Sequence, residues 1–332
     1  MPVVAVVIPC YRVARHILGV ISRIGSDCDR IYVVDDCCPE GTGDLIEKEC
    51  RDSRVRLIRH ETNQGVGGAV MSGYRQAISD GADVIVKMDG DGQMDPSLLS
   101  QFVAPVLSGE ADYSKGDRFW DSENITHMPS VRMFGNAALS FFSKLSTGYW
   151  GVFDPTNGYT AIDAHVARRL PFHKISRRYF FESDILFRLG VMRAVVVDIP
   201  MDAKYGDEIS NLKIPRISGE FLFKHSKNFL KRLFYNYYLR DVSLASLELP
   251  IGLALVIFGG CFGAYHWIRS AQNHVLTPTG TIMISVMTIL VGMQLTLGFF
   301  SYDIAAVPRR ALHPVLRTRR QFSQNDSRSS GK

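Results

Sequence analysis

The run IVKMDGDGQMDP (85–96) sets Asp89, Asp91 and Asp95 within seven positions, directly after an apolar stretch. Carboxylates at that spacing repel one another, so either water or a cation must lie among them. Two acids one residue apart at a strand end can point into one cleft across a backbone turn, and Gly90 and Gly92 leave room for close approach. Hard oxygen donors of this kind suit Mg2+ or Mn2+. An ion with only two or three protein ligands keeps water and shares substrate phosphates, so the pattern points to a metal–diphosphate complex rather than a structural ion. Taken alone, the motif fits such a site and a solvated turn equally. A calcium EF-hand is excluded, because the run lacks the D-x-D-x-D-G order and the Glu at its twelfth position.

Two further stretches bear on this chemistry. NQGVGGAV (63–70) is a Gly-rich bend into a helix start, where backbone N–H groups attract anions. It is not a Walker loop, since no Gly-Lys-Ser/Thr follows, and Val70 stands where a dinucleotide fingerprint needs its third Gly. Asp35 and Asp36 close a second apolar run, RIYVVD. The six cysteines, Cys10, Cys28, Cys37, Cys38, Cys50 and Cys261, show neither C-x-x-C spacing nor a small-domain disulfide framework, which fits reduced packing residues in the cytosol.

The elements that must position these residues follow from periodicity. VVAVVI (3–8) reads as a strand buried on both faces, RIYVVD (30–35) as a second buried strand, and VRLIR (55–59) and DVIVKM (83–88) as a third and fourth strand. Helical spacing falls between them at 13–24, in DLIEKEC and at 67–79. Strands alternating with helices predict an α/β fold with a mostly parallel sheet and helices on both faces. Ligands then bind beyond the carboxyl ends of the strands, which puts Asp35, Asp36 and the 89–95 acids on one rim. Later stretches predict a strand and loop in ADYSKGDRF and a strand in AVVVDIP (194–200). An amphipathic helix over 131–150 carries Phe134, Ala138, Phe141, Phe142 and Leu145 on one side.

The apolar residues are unevenly spread along the 332. Segments 249–268 and 280–302 contain no Asp, Glu, Lys or Arg, and each meets the roughly 20 apolar residues needed to span a bilayer. The linker between them is short, so they predict a hairpin with both flanks on one side. The residues from Arg309 onward carry seven basic side chains against Asp326, a net +6, while the whole chain is +5. That local bias marks the cytoplasmic face and offers charge to anionic headgroups; it gives no reason to expect nucleic acid. No signal peptide is read at MPVVAVVIP, so the domain before the hairpin is expected in the cytosol. The expected layout is a cytosolic domain over 1–212, amphipathic juxtamembrane helices over 213–246, a transmembrane hairpin over 247–302, and a basic, partly disordered cytoplasmic tail over 303–332. In a bacterium this is a multi-pass protein of the plasma (inner) membrane. Gly259 and Gly263 form a G-x-x-x-G pair suited to a helix contact, within the hairpin or in a homo-oligomer.

VVIPCYR, VVDDCCPEGTGD, NQGVGGAV and KMDGDGQMDP, at these spacings, together resemble the inverting family 2 glycosyltransferases of GT-A fold. DGDGQMDP is similar to the D-A-D-L-Q-H-P pattern of the branch holding dolichol-phosphate mannose synthases and polyprenyl-phosphate glycosyltransferases, and the likeness covers about residues 3 to 212. The resemblance implies that Asp35 or Asp36 contacts the nucleotide, that Pro9 and Tyr11 line the base pocket, and that Asn63 and Gly65 belong to the donor side. It implies that Asp89, Asp91 and Gln93 bind the metal and the donor diphosphate. Arg118 and Arg132 match basic residues of the family, Asp154 and Gly158 match its segment before the next strand, and Glu182 matches a helix-borne Glu facing the cleft. Lys204 stands near a phosphate-contacting lysine. The sequence departs from the pattern at Arg12-Val13, where Asn-Glu is usual, at Tyr159-Thr160, where Phe-Arg is usual, and at AKYGDEISNL, where R-x-x-G-x-S-K is usual.

The activity implied is transfer of a sugar from a UDP- or GDP-linked donor to a polyprenyl phosphate, either undecaprenyl or dolichyl. Two alternatives stay open at this level. A membrane-bound transferase using a hydroxyl acceptor would need a general base, for which Glu182 or Asp184 is the candidate. A non-catalytic nucleotide-sugar scaffold would have no need of Asp89, Asp91 and Gln93.

Overall fold

A computed structural model describes residues 1–120, 130–202 and 214–317. Seven strands form one sheet in the order β3-β2-β1-β4-β6-β5-β7. They are β1 (Val4–Cys10), β2 (Arg30–Asp35), β3 (Val55–Arg59), β4 (Val84–Lys87), β5 (Tyr113–Asp117), β6 (Thr160–Asp163) and β7 (Val196–Pro200). The first four strands pair in parallel, while β6 runs antiparallel to both β4 and β5. The expected mostly parallel sheet is present, with one reversed strand that its four residues, TAID, do not announce.

The continuous apolar runs are explained by cover on both faces. Val4, Val6 and Ile8 of β1 pack in one cluster with Ile17, Val20 and Ile21 of α1 (Ile17–Arg23) and with Phe102 and Val103 of α4 (Leu99–Leu107). The intervening Val7 meets Gly73 of α3 (Val66–Ser79) on the other face, so closely that a Cβ at Gly73 would collide with it. α2 (Thr42–Glu49) contributes Ile46 to the first cluster.

The helix Ser130–Thr147 forms where expected, and its inner surface is polar. Ser143, Ser146 and Thr147 are buried, whereas Phe141 is 51% exposed. The reason is polar docking: Ser146 Oγ meets His225 Nδ1 at 2.8 Å, and Thr147 Oγ1 donates to the Ser143 carbonyl. The helix Ile214–Phe234 follows the same pattern. His225, Asn228 and Arg232 are buried three and four residues apart, and Phe223, Leu230 and Phe234 are exposed. An apolar outer face of this kind suits a membrane interface.

The chain divides into two compact units, Met1–Phe229 with Pro308–Lys332, and Leu230–Val307. The second holds the helices Leu244–Gln272 and Thr279–Ala305, both long and apolar enough to cross a membrane. Gly252 and Gly292 let the two backbones approach, and Ser285 Oγ donates to the Gly259 carbonyl at 2.8 Å. The G-x-x-x-G pair therefore serves the contact within the hairpin, since Gly263 also faces Ser285. Arg232 forks onto Asp303 at 2.6 and 2.9 Å, and the Tyr237 hydroxyl donates to the same carboxylate. In the first unit, the start of the basic tail is docked rather than loose. Asp112 accepts from the Leu312 and His313 N–H groups at 2.9 Å, and Arg317 pairs with Asp163 at 2.8 Å.

Candidate active site

Strand register gathers the chemistry on one rim. Cys10 stands opposite Asp35, Val7 opposite Lys87, Lys87 opposite Thr160, and Lys115 opposite Thr160. Because β6 is reversed, the segment that enters it, 154–159, lies at the same rim as the segments that leave β1, β2, β4 and β5. Residues 10–13, 35–38, 88–95, 117–120 and 154–159 therefore face one another across the strand ends, as ligand sites of open α/β sheets do.

The acidic turn is anchored from below. Asp89 N–H points to Met94 Sδ at 3.2 Å, and the Gln93 N–H donates to Asp91 Oδ1 at 3.0 Å. Gly92 takes φ +81°, the left-handed region that glycine fills without strain. A Cβ on Gly90 would press on Ile8, Val13 and Ile17 at 3.2–3.3 Å. Among the described residues no three His, Cys, Asp or Glu side chains could hold a metal ion by themselves. The donor set is two carboxylates and one amide, all hard oxygens. It fits a divalent ion that fills its remaining positions with water and phosphate, and does not fit a caged ion.

Lys87, which the sequence reading passed over as a strand residue, lies at the centre of this arrangement. It is 1% exposed, and its Nζ stands 3.0 Å from Asp89 Oδ1 and 3.2 Å from Glu182 Oε1. Burial works against its charge, but Asp89 and Glu182 outweigh this and hold its pKa above the usual lysine value. Gly158 makes the space: a Cβ there would collide with Lys87 Nζ and stand 2.6 Å from Asp89 Oδ2. Asp89, Gly158 and Glu182 are thus brought together, from three separate segments. The missed signal was a lone lysine in an otherwise apolar strand, which is rare without a partner.

Arg118 and Asp154 are brought together as well. The guanidinium grips the carboxylate at 2.7 and 3.1 Å. Burial works to raise the Asp154 pKa, and the charges of Lys115 and Arg118 overcome this and hold it below the usual carboxylate range. Beside this pair lie aromatic rings, with the Lys144 ammonium 5.9 Å from the Phe153 ring. The Phe119 and Phe153 rings meet edge to face at 5.8 Å, Ser140 Oγ donates to the Phe153 carbonyl, and Phe153 is 44% exposed next to the helix that carries Phe141.

Asp36 and the Gly-rich bend are engaged with each other. The Gln64 and Gly65 N–H groups both donate to the Asp36 carboxylate at 2.8 Å, and His60 Nδ1 lies 2.7 Å from it. Asn63 Nδ2 donates to the Asp36 carbonyl, and the Gly68 N–H to that of Arg177. The anion at this bend is the protein's own Asp36. Asp35 accepts from the Cys38 and Gly43 N–H groups. These contacts shape the loops at this part of the rim, where Pro9 is half-buried and Tyr11 is 44% exposed. Asp184 is buried and accepts from the Ser176 N–H and Asn228 Nδ2. The Arg132 side chain and Lys204 lie outside the described residues.

Residues 5–170 match the protein family described as Glycosyl transferase family 2. The chain is 27% identical over 213 residues to the UDP-N-acetylglucosamine–dolichyl-phosphate N-acetylglucosaminyltransferase of Methanococcus voltae, covering 60% of this chain and 84% of that protein. It is 31% identical over 173 residues to the undecaprenyl-phosphate mannosyltransferase of Micrococcus luteus, covering 52% and 70%. Among solved structures, glucosyl-3-phosphoglycerate synthase of Mycobacterium tuberculosis superposes with a TM-score of 0.51 at 19% identity, over 70% of this chain and 79% of that one, a likeness of fold.

Proposed function

This chain belongs to glycosyl transferase family 2, and on that premise we propose that it transfers a sugar from a nucleotide-sugar to a polyprenyl phosphate. The observation that carries the acceptor is the juxtaposition of Arg118 with an aromatic pair: its guanidinium lies 5.7 Å from the Phe119 ring, which meets the exposed Phe153 ring edge to face. A charged headgroup on an apolar chain needs a cation beside an apolar surface. The two apolar helices would hold the enzyme where such a lipid resides, with the catalytic unit on the cytoplasmic side.

A phosphate oxygen of the acceptor attacks the anomeric carbon, the bond from that carbon to the donor diphosphate breaks, and the nucleoside diphosphate leaves. One displacement inverts the anomeric centre. The acceptor phosphate is already ionised near neutral pH, with a second pKa of about 6, so no proton has to be removed by the protein. A divalent cation, Mg2+ or Mn2+, held by Asp89, Asp91 and Gln93 would neutralise the charge that develops on the leaving diphosphate. Arg118, steadied by Asp154, screens the repulsion between acceptor and donor, and Arg132 is assigned the same task. Pro9, Tyr11 and the loops braced by Asp35 and Asp36 receive the nucleotide.

A hydroxyl acceptor would need a general base instead. Asp184 is committed to Ser176 and Asn228, and Glu182 to Lys87. Both observations favour the phosphate acceptor. The test is incubation of membranes holding the protein with radiolabelled nucleotide-sugars and polyprenyl phosphate. Mild-acid-labile label in the organic phase supports the reading, and label found only in polymer supports the hydroxyl-acceptor alternative.

A further inference from the structure

We propose that Lys87 is a positioning residue of the donor site, an internal cation that engages Asp89 and Glu182 and so keeps a divalent ion from settling there without its nucleotide. The inference rests on the proposal that Asp89 and Asp91 hold a metal–diphosphate complex.

Three observations carry it. Lys87 occupies a fully buried strand position between β1 and β6, where its neighbours Ile85, Val86 and Met88 are apolar and an apolar side chain would serve packing better. Its Nζ contacts one oxygen of Asp89, a proposed metal ligand, and one of Glu182, and so links the acidic turn to the helix Phe181–Met192. Gly158 lacks the carbon that would displace that contact, so the backbone of a third segment is fitted to the ammonium.

The electrostatic consequence is specific. Asp89, Glu182 and Lys87 together carry one net negative charge; without the lysine they carry two. A cation approaching Asp89 in the absence of nucleotide meets the ammonium's repulsion at close range, where a unit charge counts heavily. When the ion arrives bound to a nucleoside diphosphate, the phosphate charges offset that repulsion. Lys87 therefore makes metal and donor binding mutually dependent, and it fixes Asp89 and Glu182 in one arrangement.

The test is Mn2+ binding by the full-length protein in detergent, read by titration calorimetry and by the Mn2+ paramagnetic resonance signal. The wild type is expected to bind Mn2+ weakly alone and tightly with UDP or GDP. Lys87→Met is expected to bind Mn2+ alone at least about tenfold more tightly than the wild type. A purely structural lysine would do the opposite, since loosening Asp89 lowers metal affinity. Comparison of Glu182→Gln with Lys87→Met/Glu182→Gln repeats the measurement with one buried carboxylate fewer, which protects it against misfolding of the single variant. The same direction is expected there. Unchanged or weaker nucleotide-free binding in both comparisons, with the wild type still binding Mn2+ beside a nucleotide, overturns the inference and leaves the metal site standing. A wild type that binds no Mn2+ with either nucleotide overturns the metal site itself.

Discussion

Replacing Gly158 by alanine tests the geometry on which the site depends. Gly158 is not among the glycines with positive φ, so its backbone accepts alanine without strain. Any effect must therefore come from the added carbon. That Cβ would stand 2.6 Å from Asp89 Oδ2, which is 0.8 Å inside the 3.4 Å where ordinary contact begins, and it would collide with Lys87 Nζ. Asp89 and the ammonium must retreat by about that distance. Lys87 is buried on every side, so its retreat strains the pair. A fully buried pair costs about 3–5 kcal/mol to break, but the Asp89 side chain is 29% exposed and solvent screens part of the loss, so a partial separation is expected to cost about 1–2 kcal/mol. That corresponds to a fall in Tm of several degrees, at about 2–4 °C per kcal/mol for a domain of this size. A misplacement near 1 Å at a reacting centre lowers the rate by about a hundredfold. Both quantities are measurable on purified protein, by thermal melting and by kcat/KM for sugar transfer. Gly151→Ala, where the new carbon meets nothing within 4 Å, is the control and should be neutral. Gly158→Ala within threefold of wild-type activity would refute the reasoning, because it would mean that Lys87 and Asp89 are not held as described.

Asp91→Ala removes a proposed ligand of the donor's cation and should lower the rate at least about a hundredfold, or about 2.7 kcal/mol of barrier, in a membrane transfer assay. Glu182→Gln should retain substantial transfer to polyprenyl phosphate, since no base is required; loss of all activity would favour a hydroxyl acceptor. Lys115 is wholly buried on β5, and burial lowers its pKa to about 8 although Asp154 and Asp198 oppose the shift. Between about pH 8 and the ordinary lysine value the unfolded chain then binds more protons than the folded one, so the Lys115 contribution makes stability rise with pH in that window. Lys115→Met should flatten that rise in melting curves taken from pH 7 to 10. Asp303→Asn removes the carboxylate that grips buried Arg232 and should destabilise the helical hairpin by about 3 kcal/mol, whereas Arg232→Met/Asp303→Leu should recover most of the loss.

Most of the parallel half of the sheet was legible because β1, β2 and β4 are buried on both faces and so are written as largely apolar runs; β3, at the edge, is only partly buried and alternates with arginines. β6 was not legible, because its four residues, Thr160–Asp163, follow a glycine-containing turn and are too few to show a period. α4 was passed over for a similar reason, with Pro105 inside it and a 3-10 turn at Pro96–Leu98 before it. The helix Ser130–Thr147 lies where its period predicts, but periodicity alone does not say which side turns inward; small hydroxyl side chains form the inner surface and Phe141 stays exposed. Composition marked the tail after the second apolar helix as a basic segment; the docking of Leu312, His313 and Arg317 on Asp112 and Asp163 depends on partners some two hundred and one hundred and fifty positions away. Separations of 28 and 29 positions likewise hid the bonds from Gln64 and Gly65 to Asp36, and one of 95 positions hid the contact of Lys87 with Glu182. Motif spacing brought the acids to one rim, but which carboxylates are already engaged is a property of the folded chain.

The central claim is a transfer of the sugar alone onto a lipid phosphate, and the mass of the lipid product tests it most directly. Purified protein supplied with polyprenyl phosphate and a panel of UDP- and GDP-sugars should yield a lipid heavier by one glycosyl unit, still carrying a single phosphate and inverted at the anomeric carbon. A product with two phosphates would mean that a sugar phosphate had moved, and an unchanged lipid with sugar found on a hydroxyl acceptor would contradict the account outright.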